Sequence, residues 1–320
     1  MDDPGDTDVG IAPARVQCPH SAMRPPSRFA IIVAFAAVYV IWGSTYLGIL
    51  FAIRSIPPLL MAGSRFLFAG VILYFASRLS GAGRSTMAEW RTALIVGTCL
   101  LVCGNGGVTL AEQYVPSGLA ALLVATVPLY IALLSWLFGL SERPRPLAVL
   151  GLAGGFVGVA VLIGPALWTE TNSSPQAWIG MSILLCSSLI WSAGSLYSRR
   201  APGAASPFLA AGQQMLCGGT ALLLAACARG ELRHFQPRQI SLVSFGAFVY
   251  LVLIGAIIGY VAYAWLLRHC DPAKVATYAY VNPVVAVILG AAFADEKLTL
   301  MTILAATIII GSVALVITAG

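Results

Sequence analysis

One arginine of this sequence lies inside a long apolar stretch. Arg65 stands about eight residues after Pro57, which corresponds to about 12 Å along a helix that rises 1.5 Å per residue. A guanidinium in such surroundings is costly, and it usually marks a functional pathway or an ion pair. Two roles fit Arg65. It could anchor the carboxylate or another anionic group of a bound solute, or it could be structural, capping a neighbouring helix or reaching outward to solvent.

A second group of polar residues follows in the third apolar stretch. Asn105, Thr109 and Glu112 are spaced i, i+4, i+7, so they share one helical face. Glu112 lies near the end of this stretch. A carboxylate in a poorly solvated mouth can titrate near neutrality, which suits proton coupling, whereas the alternative is an ordinary solvated helix end. Two glycines flank Asn105 and allow another backbone to approach closely.

Aromatic residues recur at helical spacing beside Ser, Thr and Asn. Aromatic residues that face lipid cluster at membrane interfaces instead, so an inward face that lines a cavity is expected for this set, with ordinary helix packing as the alternative for each member. The pairs are Trp42 and Tyr46, Thr126 and Tyr130, Trp191 and Ser195, Tyr260 and Tyr263, and Tyr278 and Asn282.

The elements that carry these residues are membrane helices. The residues AVILMFWYC make up 59% of the chain and charged residues only 9%, against about 25% charged residues in a soluble domain. The apolar runs are continuous, which favours helices over barrel strands, and each is close to the ~20 residues that cross a bilayer. An all-α protein with ten spans is predicted. The spans are Phe29 to Leu50, Leu59 to Ser77, Thr92 to Ala111, Ser117 to Leu140, Leu147 to Leu167, Ala177 to Ser198, Phe208 to Ala228, Leu242 to Leu267, Val275 to Ala294 and Leu298 to Ala319.

The chain repeats itself. Trp42 and Trp191 are equivalent, as are Arg65 and the neutral Gln214. Five spans in each half mean that the second half enters the membrane from the opposite side, and such inverted repeats are common in secondary transporters. The predicted organisation is an acidic, proline-rich, disordered leader (1–28) followed by two five-helix repeats (29–167 and 168–320). Met1 and Met23 are both compatible with the start of the chain.

Basic residues give the orientation. Most of the 18 Lys and Arg residues flank the spans on the side of the N-terminus, so both termini are expected in the cytoplasm. No loop builds a dense basic face with aromatic residues, which argues against nucleic-acid binding. The seven cysteines show no metal-ligand or redox spacing, since no His stands near Cys99 and Cys103.

Further pairs recur between the halves. Pro128 and Pro283 are expected to break equivalent helices near a binding region. Glu142 and Glu296 recur at the junctions of the last two helices of each half, with a structural role expected and gating as the alternative. Three GxxxG patterns predict close helix packing: Gly151/Gly155, Gly154/Gly158 and Gly255/Gly259.

Several short sequence motifs resemble those of the EamA-domain branch of the drug/metabolite transporter superfamily. They are Trp42-Gly43-Ser44-Thr45-Tyr46, Ala62-Gly63-Ser64-Arg65-Phe66, Gly104-Asn105-Gly106, Ala111-Glu112-Gln113, Val115-Pro116-Ser117-Gly118 and Ala279-Tyr280-Val281-Asn282-Pro283. The resemblance spans about residues 29 to 319. It implies ten helices in two EamA repeats, cytoplasmic termini and a central cavity. It also implies export of small metabolites, amino acids or drugs across the bacterial inner membrane by proton exchange.

A secondary exporter that works by alternating access is therefore the predicted function. An exchanger of nucleotide sugars or phosphorylated metabolites is an alternative, and a channel or a non-transporting scaffold is an alternative of another class. An enzyme is not expected, because His20, His234 and His269 lie outside the spans. No cofactor or metal is expected, the partners are a small-molecule substrate and the lipid bilayer, and a monomer or a homodimer is open. The expected substrate-binding residues are Trp42, Tyr46, Arg65, Asn105, Tyr130, Trp191, Gln214, Tyr263, Tyr280 and Asn282, with Glu112 for proton coupling.

Overall fold

The computed structural model describes residues 27–115, 117–140, 145–170, 175–204, 206–233, 235–293 and 300–319, and every regular element among these residues is helical. Apart from two three-residue 3₁₀ turns, the helices are α1 Arg28–Ala52, α2 Pro58–Leu79, α3 Met87–Ala111, α4 Ser117–Val124, α5 Val127–Leu137, α6 Pro146–Glu170, α7 Pro175–Arg200, α8 Pro207–Ala228, α9 Leu242–His269, α10 Pro272–Val275, α11 Tyr278–Phe293 and α12 Leu300–Ala319. Residues 1–26 of the predicted leader and the Glu142 and Glu296 pair lie outside the described residues, whereas Ser27 caps α1 and Arg28 begins it.

Local sequence signals set where these helices begin. Thr86 and Glu89 form a capping box at the start of α3, and Ser206 caps α8 immediately before Pro207. Both devices satisfy the backbone N–H groups that the first turn of a helix leaves without partners. Pro57 cannot cap α2 with its side chain. Instead, the Glu231 carboxylate beyond the end of α8 accepts from the N–H groups of Leu59 and Leu60 at 3.4 and 2.9 Å.

Six of the described helices are long and apolar enough to cross a membrane: α1, α2, α3, α7, α8 and α9. Shorter apolar segments lie at Val127–Leu137, Pro146–Gly158 and Ile303–Val316. The prediction of a helical membrane protein is confirmed, whereas the count of ten spans stays a prediction.

Helices α2 and α8 form an antiparallel pair held together by glycines. A Cβ atom on Gly219 would lie 3.0 Å from the carbonyl oxygen of Gly63, and a Cβ atom on Gly70 would lie 3.1 Å from that of Gly212. The two contacts are reciprocal, because Gly63 is equivalent to Gly212 and Gly70 to Gly219 at the same separation as Arg65 and Gln214. Equivalent helices that cross antiparallel with reciprocal contacts are related by an approximate two-fold axis perpendicular to them.

The last described helices of the two halves pair in the same manner. Gly151 of α6 approaches Val316 of α12, and Gly158 approaches Ile308, so these two helices are also antiparallel. Gly154 lies against Ser312 between them. The sequence expectation of close packing at the glycine patterns of α6 is confirmed.

Other helices pack against helices of the opposite half. Helix α1 packs on α11 of the second half, and α7 packs on α4 and α5 of the first half. Helices α3 and α9 each contain a π-helical stretch, Thr98–Gly106 and Leu251–Tyr260, at equivalent positions. Such stretches are uncommon and are frequent at functional sites.

Two helices are interrupted by Ala-Thr. Ala125-Thr126 separates α4 from α5, and Ala276-Thr277 separates α10 from α11. In each break the threonine hydroxyl donates to the carbonyl three residues earlier at 2.6 Å. The expectation that Pro283 breaks its helix is wrong, because Pro283 lies inside α11. At each break the threonine hydroxyl is the hydrogen-bond partner of a carbonyl three residues earlier. A carbonyl that an interrupted helix leaves free needs such a partner in a membrane.

Candidate functional site

Four aromatic side chains meet where the two halves face each other. The ring centroid of Trp42 lies 5.6 Å from that of Trp191, 4.9 Å from Tyr263 and 4.9 Å from Tyr278. Glycines permit this approach, since a Cβ atom on Gly104 would lie 2.5 Å from Trp191 and one on Gly259 would lie 2.6 Å from Trp42. The indole N–H of Trp191 donates to the Tyr263 hydroxyl at 3.1 Å, and that hydroxyl also bonds the Ser195 hydroxyl at 2.7 Å. These contacts form a closed aromatic cluster.

A cavity lies directly beside the aromatic cluster and encloses about 680 Å³ of space free of protein atoms, including the part that is open to the outside. Six of the expected site residues line it, together with Thr45, Phe66, Ser187, Ser188, Tyr260 and Tyr278. The six are Trp42, Tyr46, Arg65, Asn105, Trp191 and Asn282. Both halves of the chain therefore contribute to one wall. An apolar cavity with a few polar groups is the usual form of a small-molecule site.

Among the described residues that line this cavity, Arg65 is the only one with a cationic side chain. Its side chain is 2% exposed, and its Nε and Nη1 groups have no hydrogen-bond partner among the described residues. The guanidinium stacks near the Phe66 ring, with Cζ 4.6 Å from the ring centroid. The alternative of an arginine that reaches outward to solvent is therefore wrong. A buried cation with two unused donors is a strong attractor for an anionic group.

Glu112 follows the last turn of α3 and is 7% exposed. Neither of its carboxylate oxygens has a hydrogen-bond partner among the described residues. It does not line the cavity, but it interacts electrostatically with Arg65, which does. The alternative of a solvated helix end is wrong, because the carboxyl group is removed from solvent.

Two amides add acceptors to the cavity wall. The Oδ1 atoms of Asn105 and Asn282 are buried and have no hydrogen-bond partner among the described residues. The side chain of Asn282 interacts with the Tyr46 hydroxyl. With Arg65, the wall offers N–H donors and separate carbonyl-type acceptors, which suits a solute that carries both an anionic and a cationic or N–H group.

The other expected residues lie elsewhere. Gln214 and Tyr263 line a second, smaller cavity on the other side of the aromatic cluster, with about 480 Å³ of space free of protein atoms. Tyr280 is fully buried where α11 meets α6, and its hydroxyl donates to the Leu152 carbonyl at 3.4 Å. Tyr130 is half-buried in the first turn of α5 and lines neither cavity. The binding roles of these four stay predictions.

Sequence reasoning missed Ser187, Ser188 and Thr45 in the cavity wall. Ser188 donates to the Leu123 carbonyl at 3.4 Å, beside the break between α4 and α5. Ser192, one turn further, donates to the Val127 carbonyl at 3.2 Å. The spacing of these serines on one face of α7 was a usable signal, but nothing in the sequence tied that face to the break.

Among the described residues no group of three or more His, Cys, Asp or Glu side chains is placed to hold a metal ion. The cavity holds Arg65, Asn105, Asn282 and aromatic rings rather than a nucleophile with its base.

The model of the EamA-like transporter family matches the chain twice, at residues 28–164 and 178–318. The chain belongs to this family. It is 41% identical over 284 residues to the uncharacterized inner membrane transporter YedA of Escherichia coli strain K12, covering 88% of this chain and 89% of the relative. The resemblance found from the sequence motifs is confirmed. The chain is a membrane transporter and not an enzyme.

More distant relatives carry transporter names too. The chain is 26% identical to the uncharacterized transporter YvbV of Bacillus subtilis strain 168, covering 91% of this chain and 92% of the relative. It is 25% identical to a protein named a probable amino-acid metabolite efflux pump of Escherichia coli strain K12, covering 85% and 89%. A crystal structure matches with a TM-score of 0.72 at 20% identity, over 91% of this chain and 98% of that chain, which shows the shared fold.

Proposed function

We propose that this protein is a secondary exporter of small metabolites, amino acids or drugs, driven by proton exchange across the bacterial inner membrane. The two repeats would be five-helix bundles of opposite orientation, ten spans in all, with both termini in the cytoplasm. The reciprocal glycine contacts of α2 and α8 support the inverted arrangement. Rocking of such halves around a central site is a common basis of alternating access.

The observation that carries the proposal is the cavity between the halves, with a buried guanidinium in its wall whose Nε and Nη1 have no hydrogen-bond partner among the described residues. Arg65 would bind the carboxylate of the solute. Asn105 and Asn282 would accept from its N–H or ammonium group, and the rings of Trp42 and Trp191 would contact its apolar part. A zwitterionic or aromatic solute is the class that this arrangement fits best.

Glu112 would couple this binding to protons. A negatively charged Glu112 would attract the positive end of the solute across the cavity wall without contacting it, and a proton on the carboxyl group would remove that attraction. Proton and solute would therefore oppose each other's binding, and a coupling of this kind is reciprocal, as exchange requires. The sequence contains no GxxxxGK[ST] loop, so a nucleotide engine is not expected.

The alternative of a phosphorylated substrate suits the cavity less well. A phosphate group favours several guanidinium or ammonium donors. The described wall offers one cation, Arg65, beside aromatic rings and amides.

The test is efflux from proteoliposomes that contain the purified protein. A panel of amino acids and aromatic amines is expected to include a solute with saturable efflux and counterflow. Neither property would appear if the protein were a channel or a scaffold. Arg65→Ala should lower efflux about tenfold or more, because a charge-assisted contact is lost.

The matched control is Arg54→Ala, which removes an exposed arginine just outside the membrane helices. It should transport as the unmodified protein does. Unchanged efflux in Arg65→Ala, with the variant still folded, would remove Arg65 from the binding site.

A further inference from the structure

The two cavities are counterparts in the two repeats. Arg65 lines the first, and its equivalent Gln214 lines the second. Asn105 lines the first, and Tyr260 lines the second and also reaches the wall of the first. Asn105 and Tyr260 are equivalent, because each follows the glycine that packs on the tryptophan of the opposite half: Gly104 on Trp191 and Gly259 on Trp42.

The counterpart pairs differ in their hydrogen bonding. In the second cavity the Tyr260 hydroxyl donates to Oε1 of Gln214 at 2.7 Å. In the first cavity Nε and Nη1 of Arg65 and Oδ1 of Asn105 are buried and without partners among the described residues. Arg65 and Asn105 of the larger, first cavity are thus not hydrogen-bonded to each other through these atoms, whereas Tyr260 and Gln214 of the smaller, second cavity are.

We propose that the Tyr260–Gln214 hydrogen bond holds the second cavity contracted, and that Arg65 and Asn105 form the equivalent bond when the halves rearrange to open the second cavity. This inference rests on the proposed alternating access. The rearrangement exchanges one bonded pair for another, so the loss of one bond is offset by the gain of the other. Two states of similar free energy are what a carrier needs, because a small differential interaction then moves the equilibrium.

The asymmetry of the two pairs gives each state a different chemistry. Gln214 and Tyr260 are neutral, so the pair that closes the second cavity carries no net charge. The pair that would close the first cavity contains a cation, Arg65. Arg65 has two nitrogens without partners among the described residues, so one can hold a solute carboxylate while the other bonds the Asn105 carbonyl oxygen.

The test measures how fast a maleimide modifies single cysteines in purified protein that lacks its native cysteines. Val108→Cys reports on the first cavity and Ala264→Cys on the second, since these residues line them. Tyr260→Phe should speed modification at position 264 and slow it at position 108, each by about two- to tenfold, the effect of one net hydrogen bond. Asn105→Ala should shift both rates in the opposite direction.

Gln214→Leu removes the acceptor and should reproduce Tyr260→Phe, and the double variant should add little to either. Tyr197→Phe, which alters an exposed tyrosine of α7, is the matched control and should change neither rate. Equal acceleration at both positions in Tyr260→Phe would indicate general loosening and overturn the proposal, as would no change at either position.

Counterflow of the unmodified protein is measured in the same preparations. If counterflow is present and the cysteine rates do not shift, the hydrogen-bond exchange is wrong while the transport function stands. If the rates shift reciprocally without counterflow of any solute, the exchange between two states stands and the proposed export fails.

Discussion

At the scale of single residues, the site combines two buried ionisable groups, Arg65 and Glu112, that have few hydrogen-bond partners among the described residues. Arg65 and Glu112 interact electrostatically, yet two nitrogens of the one and both oxygens of the other have no hydrogen-bond partner among the described residues. Burying a charge in this way costs several kcal/mol unless it is compensated. A solute or a proton that supplies the missing hydrogen-bond partner therefore recovers a large share of this free-energy cost when it binds.

Glu112→Gln tests the coupling role of this carboxyl group. The amide is similar in shape but neither gains nor loses a proton at any pH used, so efflux driven by a pH gradient should be lost while solute counterflow is retained. Both are measured in proteoliposomes with and without the gradient. Glu89→Gln, which alters an exposed carboxylate at the start of the same helix, is the control and should keep gradient-driven efflux.

Gradient-driven efflux that survives in Glu112→Gln would exclude this carboxylate as the coupling group. Loss of counterflow as well would indicate that Glu112 binds the solute or supports the fold instead.

Sequence spacing predicted Arg65, Asn105 and the aromatic faces because a charge or an amide in an apolar run is conspicuous. The same reasoning could not separate Trp42, which lines the cavity, from Tyr280, which is buried against α6. Helical periodicity gives the face of a helix, but the neighbour of that face depends on how the helices pack.

At the scale of elements, the pair of α2 and α8 depends on the absence of side chains. A Cβ atom on Gly219 would lie 2.6 Å from the backbone nitrogen of Leu67. A neighbouring backbone cannot move aside as the end of a flexible side chain can. The two helices would therefore have to separate.

Gly219→Ala should destabilise the folded protein by about 1–3 kcal/mol through overpacking. The measurement is the thermal unfolding midpoint of the purified protein in detergent. Gly311→Ala is the matched control, because Gly311 lies in helix α12 with open space where a Cβ atom would stand. Alanine favours the helix there, so the midpoint should stay or rise slightly.

A Gly219→Ala midpoint equal to that of the unmodified protein would mean that α2 and α8 pack less tightly than described.

Hydropathy predicted both helices, since their apolar runs are long. It could not predict their glycine contacts, because the positions that touch are separated by about half the chain.

The breaks before α5 and α11 were only partly foreseen. Prolines at equivalent positions predicted two breaks, but the second break lies at Ala276-Thr277, ahead of Pro283. A threonine hydroxyl bonds the carbonyl three residues earlier at both breaks, but Thr45 makes the same bond to Trp42 inside the unbroken α1, so this local feature alone does not fix the position of a break.

At the scale of the whole molecule, the inverted orientation of the two repeats predicts which side of the membrane each loop faces. The loop between α2 and α3 should face the cytoplasm, and the equivalent loop between α8 and α9 should face the opposite side. Both termini should be cytoplasmic. The excess of basic residues on one side of the predicted spans is the physical reason.

Reporter enzymes inserted at Gly83 and at Gln236, and fluorescent proteins fused to each terminus, measure these positions in cells. The insertions at the two loops should give opposite results, and both terminal fusions should report the cytoplasm. The same side for both loops would exclude inverted repeats.

The reciprocal contacts of Gly63 with Gly219 and of Gly70 with Gly212 have a consequence for the origin of the chain. Contacts of this kind are what two copies of one polypeptide make in an isologous dimer, where the same surface serves as its own partner. A half-length ancestor that inserted in both directions would already have possessed this interface. In a single chain the two copies can differ, so position 65 carries a charge while the equivalent position 214 is neutral, a difference that identical subunits encoded by one gene cannot have.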